Sequence, residues 1–108
     1  MTELPIVQPT CYRVSLLPED DVNAKRFAIE VRYRGEGRWA VVQGDDWAFL
    51  GADGRWTDAV KLHGRGDDWL AAHRFDLETA LRLAREAAPL VTVNGFTAKQ
   101  ALAMRSTR

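Results

Sequence analysis

Between Arg26 and Arg34 the side chains alternate: Phe27, Ile29, Val31 and Tyr33 point one way, and Arg26, Glu30, Arg32 and Arg34 the other. A period of two is the mark of a strand with one buried face. Cys11 to Leu17 repeats the pattern with Tyr12, Val14 and Leu16 on one side, and Pro18-Glu19-Asp20-Asp21 ends it in an acidic loop. Gly35-Glu36-Gly37 supplies a reversal, and a hairpin centred on Glu36 sets Tyr33 opposite Trp39, Val31 opposite Val41 and Ile29 opposite Gln43. A second reversal at Gly44-Asp45-Asp46 aligns Val41 with Phe49 and Trp39 with Gly51. Asp53-Gly54 then reads as a two-residue hairpin loop that places Gly51 opposite Trp56. In that register two indoles flank a bare glycine and cover its backbone.

Further along, the period changes. Gly64 to Asp68 is a loop, with Asp67 or Asp68 capping a helical turn that carries Trp69, Leu70 and Ala72. Asp76 is the expected N-cap of the main helix. Leu77, Ala80, Leu81, Ala84 and Ala88 form its apolar stripe, Glu78 and Arg82 are spaced as a surface pair, and Pro89 stops it. Leu90 to Val93 suits a short strand, Asn94-Gly95 a turn, and Thr97-x-x-Gln100 a capping box that opens a final helix. Strands first and helices afterwards predict an α+β domain: an antiparallel β-meander of about four to five strands, one main helix across its apolar face, then a short strand and a short C-terminal helix. Pro5 and Pro9 mark residues 1–9 as a loose arm, residues 10–103 form the single domain, and Met104 to Arg108 are expected to fray as a basic tail.

Composition narrows the function classes without choosing one. Fifteen basic residues against fifteen acidic ones among 108 exclude a global field, although not a local patch. Cys11 is the one cysteine, so no intrachain disulfide forms, and the start shows no basic segment followed by an apolar run. The expectation is a cytoplasmic protein without membrane association. His63 and His73 have no metal-ligand spacing, and the acidic clusters at residues 19–21, 45–46 and 67–68 each sit beside a turn, where Asp bonds its own backbone. Neither a metal nor a cofactor is expected: the glycine-containing segments lack the phosphate-loop and dinucleotide patterns. Cys11 with His73 is a conceivable nucleophile and base, but a lone strand cysteine is better read as a small buried hydrophobe. A small hydrolase is therefore the third-ranked reading.

The outward sheet face carries the functional expectation. Arg26, Arg32, Arg34 and Arg38 gather near the Gly35–Gly37 turn, and Ala28, Ala40, Val42, Ala48 and Leu50 share their parity. Residues 24–38 hold five basic and two acidic side chains, and Trp69 is the tryptophan without core parity. One face of an antiparallel sheet is commonly just solvated. Arginine forks beside small apolar residues also suit a flat interface, with Arg26, Arg32, Arg34, Arg38, Leu50 and Trp69 as its residues. The expected function is a non-catalytic module that binds a protein partner, with nucleic acid the alternative and a homodimer admissible.

The block from His73 to Pro89, followed by Val91-Thr92-Val93-Asn94-Gly95, resembles small uncharacterised proteins of actinobacteria and their phages, as does the arginine-rich composition. The resemblance implies a phage or prophage accessory protein and carries no activity or site residue. The order of a strand meander followed by Phe-Asp-x-x-x-Ala-Leu is also similar to the WGR module of nucleic-acid-dependent enzymes. The Trp-Gly-Arg signature of that module is missing, since Gly54-Arg55-Trp56 runs in the reverse order.

Overall fold

The computed structural model describes residues 3–43, 48–58 and 66–105. The turn at Gly44-Asp45-Asp46, Trp47, His63 and the Val60–Leu62 and Gly64–Arg65 stretches lie outside them. Five antiparallel strands form a meander in chain order: β1 (Cys11–Val14), β2 (Ile29–Gly35), β3 (Arg38–Gln43), β4 (Ala48–Leu50) and β5 (Trp56–Asp58). Two helices follow, α1 (Asp67–His73) and α2 (Leu77–Ala87), the second running into a 3₁₀ turn over Ala88–Leu90. A small hairpin of β6 (Thr92–Val93) and β7 (Phe96–Thr97) leads into α3 (Ala98–Arg105). The α+β architecture is the one expected, with the strand predicted over Leu90–Val93 enlarged to a hairpin. Met104 belongs to α3 rather than to a tail.

The β2–β3 ladder has the register the alternation demands, with Tyr33 opposite Trp39, Val31 opposite Val41 and Ile29 opposite Gln43. Its tip is tighter than a loop centred on Glu36. Glu36 and Gly37 occupy a two-residue turn with φ of 53° and 72°, and the ladder slips between Tyr33 and Gly35, where Gly35 sits at φ 98°. That left-handed pair matches the strand twist, and the slip is a bulge that turns Arg34 relative to its neighbours.

The next two reversals each differ from expectation by one residue. Ala48, not Trp47, lies opposite Gln43, so Phe49 pairs with Val42 and not with Val41. Leu50, not Gly51, pairs with Trp56. Here the hairpin loop is Ala52-Asp53-Gly54, closed by Gly54 N–H to Gly51 C=O (3.0 Å) and Gly51 N–H to Arg55 C=O (2.9 Å), with Gly54 at φ 80°. The Asp53 carboxylate accepts the Arg55 N–H at 3.0 Å and favours the longer loop. Because the side-chain period is two, a one-residue shift exchanges faces. Phe49 joins Ala40 and Val42, while Leu50 joins Val41 in the core under α2. Neither Trp39 nor Trp56 lies opposite Gly51, since they pair with Phe75 and Leu50. A Cβ there would lie 3.0 Å from the Asp53 carboxylate and 3.4 Å from His73 Nε2, so its bare backbone admits the helix end instead.

Both sheet faces are covered at their centre. The main core joins Ile29, Val31, Trp39, Val41, Leu50 and Phe75 to Ala80, Leu83 and Ala84 of α2. On the opposite face Ala40, Val42 and Phe49 form a second cluster against Trp69 of α1. The face expected to be wet is therefore buried where its small side chains lie, and α1 accounts for this. Gly66, with no side-chain bond, caps α1 in place of the expected aspartates, which sit in its first turn. The Asp76 cap of α2 is as expected: Asp76 accepts the Thr79 N–H at 3.2 Å and the Thr79 hydroxyl at 2.6 Å. Arg82 pairs forward with Glu86 at 3.2 Å rather than back with Glu78. The Thr97–Gln100 capping box is reciprocal, at 2.8 and 3.1 Å.

The Thr79 hydroxyl and then its N–H, by hydrogen bonding to the Asp76 carboxylate, hold that group below the usual aspartate range. The cap therefore stabilises the fold above the unfolded aspartate range and is lost as pH falls through the lower folded value. Asp76→Ala should melt at a lower temperature than the parent at neutral pH, and the gap should close on acidification below the ordinary aspartate range. Thermal melts of both proteins across that interval check it; a gap that persists in acid contradicts it.

Candidate functional site

Where β4 ends, one residue takes its place beside β3. Phe75 forms an isolated bridge with Trp39, N–H to C=O in both directions, at 2.7 and 2.9 Å. The chain crosses the sheet edge here, from α1 on one face to α2 on the other. A further bond from Ala52 N–H to Ala72 C=O (2.9 Å) ties the β4–β5 loop to the end of α1. Alternation about the bridge fixes the neighbours. Phe75 enters the α2 core, so Arg74 faces the α1 side, the side that also carries Ala40. In the same register Arg38 lies opposite Asp76 and diagonal to Arg74, within reach of long side chains.

The result is a hollow of about 670 Å³ between the β2–β3 tip and α1. Arg34, Arg38 and Arg74 line it, with Glu36 at the tip and Leu70 and Ala71 on the helix side. Arg74 is held from below: its guanidinium carbon stands 5.4 Å from the Trp69 ring centre and 5.9 Å from that of Phe49, and Nη1 donates to the His73 carbonyl at 3.3 Å. Trp69 is in turn sandwiched. It stacks on His73 at 4.2 Å and 12°, and meets Phe49 edge-on at 5.5 Å. His73 is buried, with Nδ1 2.8 Å from the Trp69 carbonyl and Nε2 3.4 Å from the Thr57 hydroxyl. Both ring nitrogens thus serve packing.

The sequence-predicted residues separate. Arg34 and Arg38 reach the hollow. Arg32, on the same face, is bonded to Glu30 at 2.6 Å and does not line it. Arg26 lies in the turn before β2, at the strand end away from the hairpin tip, and borders a different depression. Leu50 leaves the surface altogether: it is 1% exposed beneath α2, because the shifted β3–β4 register reversed its direction. Trp69 is half-buried and serves as the floor under Arg74, not as an open platform. Arg74 is the residue that sequence reasoning missed, since a one-residue bridge leaves no periodic signal.

Cys11 and His73 are not brought together. Cys11 is exposed on the edge strand β1, not buried, while His73 faces Thr57 on β5 at the other edge of the sheet. Cys11 Sγ donates to Glu30 at 3.4 Å; partial loss of hydration, then this bond and the Glu30 charge, push the thiol above its ordinary value. Desolvation opposes ionisation of Glu30, but hydrogen bonds from Arg32 and Cys11 outweigh it and hold the carboxyl below the usual range. Such a thiol is a poor thiolate source. Among the described residues no group of three or more His, Cys, Asp or Glu side chains is placed to hold a metal, and no helix is long and apolar enough to cross a membrane.

Removing the Trp69 indole opens a cavity between Phe49 and His73 and takes the floor from Arg74. Trp69→Ala should cost about 2–4 kcal/mol in chemical denaturation, while the exposed Arg34→Ala should stay within about 0.5 kcal/mol of the parent. Equal stabilities for the two variants would show that the ring stack does not hold this face. Neither a protein-family model, nor a curated protein, nor a solved structure matches the chain.

Proposed function

We propose that the protein is a non-catalytic binding module that docks an acidic segment of a partner protein in the hollow between the β2–β3 tip and α1. The observation that carries this reading is the convergence of Arg34 and Arg38, from the β2–β3 hairpin, with Arg74, from the segment after α1, on one concave surface. Guanidinium forks pair carboxylates bidentately, and Arg74 is already held by its rings, so less side-chain freedom is lost on binding. Glu36, Leu70 and Ala71 share the lining. A mixed-charge wall with an apolar side suits a peptide that alternates acidic and aliphatic residues better than a run of phosphates, whose every contact would face Glu36 as well. The resemblance to small actinobacterial and phage proteins fits an accessory protein acting by capture of a partner inside the cell.

The test is fluorescence anisotropy with a labelled peptide of alternating Glu and Leu, against a labelled single-stranded oligonucleotide of equal charge. The peptide should bind more tightly, and Arg34→Ala with Arg38→Ala should weaken it by about tenfold or more, equivalent to at least ~1.4 kcal/mol. Peptide binding that the double substitution leaves intact refutes the hollow as the site. An oligonucleotide that binds more tightly, with affinity falling steeply as salt rises, replaces the protein partner by nucleic acid.

A further inference from the structure

A second surface, independent of the arginine hollow, pairs two apolar features of the same chain. Ahead of β1, the segment Glu3-Leu4-Pro5-Ile6-Val7 has neither helix nor strand, and Leu4, Ile6 and Val7 are 83%, 79% and 94% exposed. Three large aliphatics within four residues, held out in water, are an unsatisfied ligand. At the opposite end of β2 lies a partly apolar hollow. The turn before β2, the β6–β7 hairpin and α3 enclose a hollow of about 190 Å³, lined by Phe27, Val93, Phe96 and Met104, of which Phe96 is 49% and Met104 46% exposed. Its size admits aliphatic side chains of an extended segment. Arg26 and Asn94 stand in the same lining, a cation and an amide beside an apolar floor. The segment offers the complement: Glu3 next to Leu4, and backbone carbonyls that a proline-stiffened chain keeps free of internal bonds.

We propose that this hollow receives the Leu4–Val7 segment of a second copy of the chain, with Glu3 against Arg26, and that two copies exchange these segments reciprocally. Geometry disfavours the molecule's own segment. Thr10 is anchored by Tyr33 N–H to its carbonyl at 2.9 Å, and β1 then runs toward the Ile29 end of β2. The preceding residues therefore leave in the other direction, away from the hollow. Seating the whole Leu4–Val7 segment in its own hollow would require Val7, which strays only about 10 Å from Thr10 at full extension, to pass the roughly 13 Å that β2 spans from Tyr33 to Ile29 alone; only Glu3 and Leu4 have that reach. A copy related by a twofold axis has no such tether, and reciprocal exchange closes the assembly as a dimer instead of a filament.

The experiment is sedimentation of the full chain across micromolar concentrations, with circular dichroism to confirm the fold of each variant. The parent should show a concentration-dependent dimer. Leu4→Asp with Ile6→Asp lies outside every element of the fold and should weaken dimerisation by about tenfold or more. Arg26→Glu should weaken it too, and Glu3→Arg combined with Arg26→Glu should restore it. A synthetic peptide of residues 3–9 should bind the Leu4→Asp, Ile6→Asp protein. A parent that stays monomeric throughout, a dimer unmoved by the segment substitutions, or a charge swap that restores nothing overturns the proposal. Arg34 and Arg38 have no part in it, so the acidic-peptide experiment succeeds or fails separately.

Discussion

Two hydrogen bonds between Trp39 and Phe75 decide the arrangement on both sides of the sheet. β4 is only three residues long, and beyond it the edge of β3 would stand open. Phe75 closes that edge with a single residue, and its position fixes the crossing point between α1 and α2. Everything in the candidate site follows by alternation. Phe75 inward toward α2 puts Arg74 outward over Trp69 and Phe49, and the antiparallel register sets Arg38 beside them. A buried backbone pair of this kind is expensive to leave unmade, which makes it a firmer anchor than any surface ion pair nearby.

The bridge works because β3 is sandwiched. Ala40, Val41 and Val42 are all fully buried, which a strand with one wet face would not show. A run of apolar residues on both parities is the sign of such a strand, and Trp39 to Val42 has it in Trp-Ala-Val-Val. The small Ala40 leaves room for α1 to approach, and the absence of a side chain at Gly51 lets His73 come within van der Waals distance of the sheet edge.

Much of this was legible in the residues. The period of two from Arg26 to Arg34 sets the β2–β3 register from Ile29 to Tyr33, because both strands have one strongly apolar parity, while the bulge before Gly35 leaves no periodic signal. Asp76 and the Thr97–Gln100 pair marked their helix starts through local hydrogen-bond chemistry that needs no tertiary context. What failed was counting through loops. At Gly44 and again at Asp53 a turn one residue longer is equally compatible with the local composition; the first shift exchanges the faces of Phe49 and Leu50, and the second returns Trp56 to the core side. Phe49 and Leu50 are both large and apolar, so exchanging their faces cost the pattern nothing and left no warning. Arg74 was hidden for a different reason: its direction depends on a long-range pairing across more than thirty residues.

The arginines of this neutral chain are held in place by different means. Arg32 pairs with Glu30 in a partly buried position, and Arg82 pairs with Glu86 at the surface, where such contacts contribute little to stability. Arg74 packs over two aromatic faces, which orient its guanidinium. The bulge at Arg34 and Gly35 turns a second arginine toward the same hollow, and the left-handed backbone at Glu36 fixes the tip that carries it. Orientation is therefore supplied by packing and backbone geometry. A substitution that repacked the Trp69 floor would shift Arg74 without touching the other two arginines that line the hollow.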